Sequence, residues 1–189
     1  MLPFVMGRRP FVRQRILEAA FDLIATEGYE AVATRDIAKA AGVGPASMFK
    51  HFATKEDLGR ELYRVALAPL DAAFAELAAR KPSPRTAVRE AVRLLYAAYD
   101  ERPRALALLV FPPHDFTPHE LERDNRSAVR AVLRRLLAVD EDVAEIVWGA
   151  ITGPLQDRYL RRRTGRMSPH ATEHGARVAR LIDPSEEKP

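Results

Sequence analysis

Apolar positions recur every three or four residues along most of the chain, and strand-like alternation is scarce. From Arg13 to Tyr29, the residues Ile16, Ala20, Leu23 and Ile24 fall on one face of an amphipathic helix, with Gly28 as its stop. The next stretch, residues 34–58 (TRDIAKAAGVGPASMFKHFATKEDL), predicts two short helices, a tight turn and the start of another helix. Gly42 suits the place just past a helix end, because it takes positive φ without a Cβ penalty. Pro45 lacks an N–H and has a fixed φ, so it suits the first turn of the following helix, with Gly44 as its cap. Ile37, Ala38, Ala41 and Val43 supply an apolar face, and Met48, Phe49 and Phe52 are expected to continue the same core. Thr54 and Asp57 have the capping-box pattern that opens a further helix. Helix, glycine turn, short helix is the spacing of a helix-turn-helix, which lays its second helix in the DNA major groove.

The helical pattern continues to the end. Residues 54–80 predict one long helix that Pro69 should kink or interrupt. Residues 83–101 predict another, with Val88, Val92, Leu95, Tyr96 and Tyr99 on its apolar side. A short apolar helix over 104–111 ends at Pro112-Pro113, and 112–118 read as a loop. Residues 119–138 and 140–163 predict two more helices; the second carries Val143, Ile146, Val147, Ile151, Leu155 and Tyr159. Ser168-Pro169 is a cap and first-turn pair for a last helix reaching about residue 182, before a polar tail. The fold class is therefore all-α, with about nine helices. A helix-turn-helix module over residues 1–54 is joined to a larger helical domain over 55–189.

Composition narrows the function classes. In a chain of 189 residues, 47% hydrophobic and 30% charged content describes a water-soluble globular protein. No apolar run approaches the length of a membrane span, and MLPFVMGRRP lacks the apolar core and cleavage site of a signal peptide. The absence of cysteine excludes disulfides, thiol catalysis and cysteine-ligated metal, and fits a cytoplasmic location. A net charge of +4 permits nucleic-acid binding. The first 65 residues and the remainder each carry net +2, so a DNA-facing patch must come from geometry and not from bulk charge.

Taken together, Ile16-Leu17, Ala19-Ala20, Gly28-Tyr29, Thr34, Ile37-Ala38, Ala41-Gly42-Val43, Phe49, His51-Phe52 and Lys55 resemble the TetR family of transcriptional regulators. The resemblance is collinear and covers roughly the first third of the chain. It departs from the family pattern at Ala33, where a capping Ser or Thr is common, and at Gly44, where a polar residue is usual. It departs again at Phe49, where the family usually has Tyr with a hydroxyl that reaches a phosphate. The resemblance implies a homodimer built on the last two helices. It also implies a palindromic operator and a larger domain that binds an apolar or amphipathic small molecule. Gly149, Ala150 and Gly153 would allow close helix approach at such an interface. Pairing two copies also makes sense of one helix-turn-helix per chain, since two half-sites then add their binding energies.

Candidate residues follow. Lys50 is placed to donate to guanine O6 or N7, and Arg35 to do the same or to hold a phosphate, with Ser47 a polar neighbour. Gly44, Pro45 and Ala46 are small enough for close approach to bases. Thr34, His51 and Lys55 have the look of phosphate contacts, with Thr34 at a helix N-terminus; His51 read blandly is a packed histidine. Phe49 joins the DNA-binding set through the resemblance. The implied ligand pocket would draw on Tyr96, Tyr99, Phe111 and Trp148, with Phe116 also considered; aromatic residues on apolar helix faces are otherwise core. His114-Asp115 with His119-Glu120, and His170 with His174, have metal-ligand chemistry, but such pairs are common by chance and no metal or cofactor is expected. Arg158, Arg161, Arg162, Arg163 and Arg166 read as a solvated helix end.

The expectation is a DNA-binding repressor released by a small molecule. The alternatives are a constitutive DNA-binding protein and an enzyme carried on the helical domain. No nucleophile elbow, glycine-rich phosphate loop or zinc-protease motif supports the last.

Overall fold

The computed structural model describes residues 11–110 and 129–182. Among these residues there are nine α-helices and no strand. They are α1 (Val12–Glu27), α2 (Thr34–Ala40), α3 (Pro45–His51), α4 (Lys55–Ala79), α5 (Pro84–Glu101), α6 (Pro103–Val110), α7 (Val129–Leu137), α8 (Glu141–Leu160) and α9 (Ala171–Ala179). A 3₁₀ turn over Ser168–His170 leads into α9. The sequence expectation for residues 111–128, including Phe111, Phe116 and His114-Asp115 with His119-Glu120, lies outside the described residues.

The predicted punctuation is where the helices begin and end. Gly28 caps α1 at φ 90°. Gly42 turns the chain after α2 at φ 65°, and the Val43 N–H returns to the Ala38 carbonyl at 2.9 Å. Gly44 is the N-cap of α3, with Pro45 in its first turn. Thr54 accepts from the Asp57 N–H at 3.0 Å while Asp57 accepts from the Thr54 N–H at 3.2 Å, closing the capping box of α4. Asp100 does similar work at a distance. It sits low on α5 and accepts from the N–H groups of Met167 and Ser168 at 2.5 and 2.9 Å, and from the Ser168 hydroxyl. This fastens the start of the last helical segment to α5.

Two expectations are corrected. Of the two effects expected at Pro69, a kink or an interruption, the interruption does not occur, and α4 runs unbroken through Lys55–Ala79. The proline is exposed, and its loss of one N–H bond is offset by the packing of Leu62, Leu67, Leu70, Phe74 and Leu77 along the buried side. Phe49 does not continue the core. It is 52% exposed, whereas its neighbours Met48 and Phe52 are buried.

The core is continuous from one end of the described chain to the other. α1, α2 and α3 pack on one another, α4 leans on α1 at one end, and α4 meets α5, α6 and α7 further along. α5 is the central post, with its whole apolar face (Val88, Ala91, Val92, Leu95, Tyr96) buried, and α9 lies closely against it. That approach is possible because Gly175 faces the Arg89 backbone, where a Cβ would lie 3.2 Å from Cα. None of the described helices is long and apolar enough to cross a membrane.

The turn generates a prediction. A Cβ at Gly42 would meet no atom within 4 Å, so any cost of substitution is conformational and not steric. Gly42→Ala is expected to lower stability by about 1 kcal/mol, and Gly42→Asn by less, in urea denaturation. Equal, unchanged stability in both variants would show that the turn does not need the left-handed conformation.

Candidate nucleic-acid interface

The second helix of the pair, α3, has seven residues and two unlike sides. Met48 points inward and is buried, and Phe52 follows it into the core just past the helix end. Gly44, Pro45, Ala46, Phe49, Lys50 and His51 are exposed, and Ser47 is half-buried. The solvent side therefore opens with three small residues and ends with an aromatic ring, an ammonium group and an imidazole. Lys50 and His51 form no ion pair or hydrogen bond through their side chains among the described residues. The packed-histidine reading of His51 does not hold, because the residue is exposed.

Arg35 and Thr34 open α2. Arg35 is exposed and sits 3.8 Å from Asp36, a loose pair that leaves its guanidinium available. Thr34 is half-buried. The N-cap residue Ala33 has extended backbone but no side-chain acceptor, so the first N–H groups of α2 are uncapped. Lys55 is placed differently from the others. Its ammonium lies 4.3 Å above the Tyr29 ring and 3.4 Å from the Glu30 carbonyl, which ties α4 to the turn after α1. This second role was not visible in the sequence spacing.

An ion cluster behind the interface was also missed. Glu61 on α4 accepts from Arg64 at 2.7 and 2.8 Å, and Arg13 on α1 reaches it at 2.8 Å. The Arg13 guanidinium lies 5.1 Å over the ring of Phe52. One arginine thus joins α1, α4 and the residue that ends α3. The hydrogen bonds from Arg64 are the largest cause of a depressed Glu61 pKa; burial opposes them, Arg13 adds to them, and the carboxyl falls from 4.5 to about 2. Residues 13, 52 and 61 are far apart in sequence, and no local pattern links them.

The aromatic residues singled out for a ligand pocket are distributed otherwise. Tyr96 is buried and stacks on His174, with ring centroids 5.7 Å apart; Tyr99 is buried on the same helix, and Trp148 is half-buried on α8. His174 also places its Nε2 3.0 Å from the Ala150 carbonyl. It is thus a packing residue joining α5, α8 and α9, while His170 is exposed. Among the described residues no group of three or more His, Asp or Glu side chains is arranged to hold a metal. The arginine cluster after α8 is a solvated helix end, as expected. Arg158 donates to the carbonyls of Thr164 and Gly165, Arg161 and Arg163 pair with Asp157, and Arg166 reaches Asp100.

Comparison with known proteins places this geometry. Residues 16–62 match the family model for bacterial regulatory proteins, tetR family. The chain is 33% identical over 96 residues to the HTH-type transcriptional repressor KstR2 of Rhodococcus jostii (strain RHA1), covering 51% of this chain and 47% of that protein. It is 31% identical over 107 residues to the HTH-type transcriptional regulator AcrR of Shigella flexneri, covering 55% and 50%. The match therefore spans about half the length of these curated relatives. Among solved structures, the transcriptional regulator FadR from Bacillus subtilis in complex with stearoyl-CoA superposes with a TM-score of 0.73 at 14% identity, covering 90% of this chain and 97% of that one. The TetR family transcriptional regulator PfmR from Thermus thermophilus gives 0.65 at 25% identity, covering 92% and 100%.

The Glu61 cluster sets a pH dependence. Because the folded pKa is depressed, its contribution is present above pH 4.5 and is lost as pH falls toward 2. Between those limits the parent protein should lose on the order of 2 kcal/mol more stability than Glu61→Gln. Denaturation curves at pH 5, 4 and 3 check this, and parallel losses in the two proteins would remove the cluster from the account.

Proposed function

We propose that this chain, which belongs to the tetR family of bacterial regulatory proteins, is a homodimeric repressor that reads a palindromic operator with α3 and releases it when a small molecule binds. The observation that carries the DNA-binding part is the two-sidedness of α3: Met48 buried on one side, Lys50 exposed and unpaired among the described residues on the other. A lysine held out on a rigid short helix has the reach to address a base edge, and Gly44, Pro45 and Ala46 let the helix start approach the groove floor. Thr34, Arg35, Ser47 and His51 surround it as backbone or base contacts, and Phe49 lies against the sugar-phosphate wall. Lys55, already held by Tyr29 and Glu30, contributes a positive charge at the edge of the site. The proposed boundary between reading and regulatory parts falls at residue 54, one residue before α4 begins.

Dimerisation is supported by the outer side of α8. Ile146 is 63% exposed, Gly149 is exposed, and a Cβ on Gly149 or Gly153 would meet nothing within 4 Å in this protomer. Small residues beside a bare isoleucine leave a shallow seat for a partner helix. Val147 and Ile151, apolar positions on the same helix, are fully buried inside the protomer and belong to its own core.

An effector is supported by the fold. A relative of the same fold binds stearoyl-CoA, so helices arranged this way tolerate an amphipathic molecule. Release requires that the effector prefer a conformation in which the two α3 helices no longer match the half-site spacing.

Two expected outcomes test these points. Selection of bound DNA fragments should return a palindrome, and Lys50→Ala should weaken binding to it by roughly 1–3 kcal/mol and relax preference at one position of each half-site. Unchanged affinity and preference would remove α3 as the reading helix. Ile146→Glu should sediment as a folded monomer with the thermal stability of a surface variant and should bind the palindrome much more weakly. A parent chain that sediments as a monomer at micromolar concentration would overturn the dimer.

A further inference from the structure

Where α1, α4 and the start of α6 meet, the helices leave a cleft of about 430 Å³. Its walls are Leu17 and Phe21 from α1, Leu62 and Val65 from α4, and Pro103 from α6. A second cavity of about 190 Å³ lies between α4, α5 and α6, lined by Leu70, Leu94 and Leu106 among others. Ala66, Arg102 and Ala105 line both, so the two adjoin at these three residues. The larger cleft alone falls within the ~300–1,000 Å³ range of small-molecule sites.

The charges around this space do not balance evenly. Asp22 on α1 and Arg104 on α6 pair with each other at 3.3 Å across the two walls. Glu18 stands exposed at the rim and accepts from Gln14 at 3.0 Å. Glu101, also exposed, borders the smaller cavity. Arg102 differs from all of these. It is half-buried, it sits at the junction of the two cavities, and its side chain has no ion pair or hydrogen bond among the described residues. An uncompensated guanidinium beside apolar walls is favourable for one anion and for an apolar body attached to it.

We propose that this interhelical cleft is a binding site for an amphipathic monocarboxylate, with the carboxylate on Arg102 and an unbranched apolar chain along Phe21, Leu62 and Val65. A dianion would meet repulsion from Glu18, Asp22 and Glu101, whereas a single carboxylate satisfies Arg102 and leaves the Asp22–Arg104 pair its own partner. The site is set apart from Tyr96, Tyr99 and Trp148, none of which lines either cavity. Binding here rests on the cleft alone. Its effect on DNA rests on the function proposed above, because an occupant between α1 and α6 fixes how the reading helices sit against the remainder of the chain.

The probe is decanoate, titrated into the full chain by calorimetry with decanol as the uncharged comparison. One decanoate per chain is expected to bind saturably, with decanol about tenfold weaker. Arg102→Gln should weaken decanoate by about tenfold, and Ala66→Trp, which fills the junction of the two cavities, should abolish binding. Circular dichroism melts establish that each variant folds; if Ala66→Trp does not, Arg102→Gln and the decanol comparison decide. Absence of saturable binding, or equal decanoate affinity in the parent and folded Arg102→Gln, would overturn the site. Operator binding is measured separately. Decanoate binding by a chain that binds no DNA sinks the regulator reading and leaves the cleft, and DNA binding by a chain that ignores decanoate does the reverse.

Discussion

A helix of seven residues cannot hold its own shape in water, and here it is the helix proposed to read DNA. Its conformation and direction are imposed from behind by Met48 and Phe52, each contributing roughly 1.5–3 kcal/mol through burial. α3 packs on α1 and α2 and not on itself, so every exposed side chain on it is aimed by residues elsewhere. The Arg13 guanidinium over Phe52, held in turn by Glu61, extends this support to α4. A solvent-facing Lys50 carries information only because its opposite side is pinned.

The same arrangement makes α4 the common beam of the molecule. Its first turn is fixed by the Thr54–Asp57 capping box, its second leans on α1 through Glu61 and Arg13, and its remainder is buried against α5, α6 and α7. A change in how α6 meets α1 must therefore act on a reading module already braced against α4. The Asp22–Arg104 pair and the cleft beside it lie at that meeting point. Exposed pairs of this kind contribute little energy alone, up to about 1 kcal/mol. A pair this weak does not by itself fix how α6 meets α1, so the packing around the cleft has the larger share in setting it.

The parts of this fold that were legible in the sequence are those written in local chemistry. Gly28, Gly42, Gly44-Pro45 and Thr54-x-x-Asp57 each demand a particular backbone, and each stands at the helix boundary it predicts. Helical periodicity put Val88, Val92, Leu95, Tyr96 and Tyr99 on the apolar side of α5, and all five are buried there, beside Ala87 and Ala91. Periodicity failed where a helix has two apolar sides with different neighbours. Val147 and Ile146 are adjacent and equally apolar, yet one is core and the other bare, because the pattern cannot say which side meets the protomer and which a partner. Phe49 failed for a related reason: beside Met48 and Phe52 it reads as core, but α3 is too short to bury more than one stripe. Contacts between distant positions, such as Arg13 with Phe52 or Tyr96 with His174, left no trace at all in spacing. Arg102 was invisible for the opposite reason, since what marks it is the lack of a side-chain partner among the described residues, at a junction that exists only after the helices pack.

Charge and geometry then divide the work. The first 65 residues and the remaining 124 carry the same small net charge, so bulk charge does not single out the end that meets DNA. At the N-terminal end the basic groups on α2 and α3 are exposed and loosely paired, while several arginines elsewhere are engaged. Arg158 is spent on carbonyls, Arg161 and Arg163 on Asp157, Arg64 on Glu61 and Arg93 on Glu90. DNA must displace an existing partner at those sites, and at Lys50 it displaces only water. Arg102, likewise without an ion pair or hydrogen bond among the described residues, stands instead beside the apolar walls of the cleft, where the proposed occupant is a small anion.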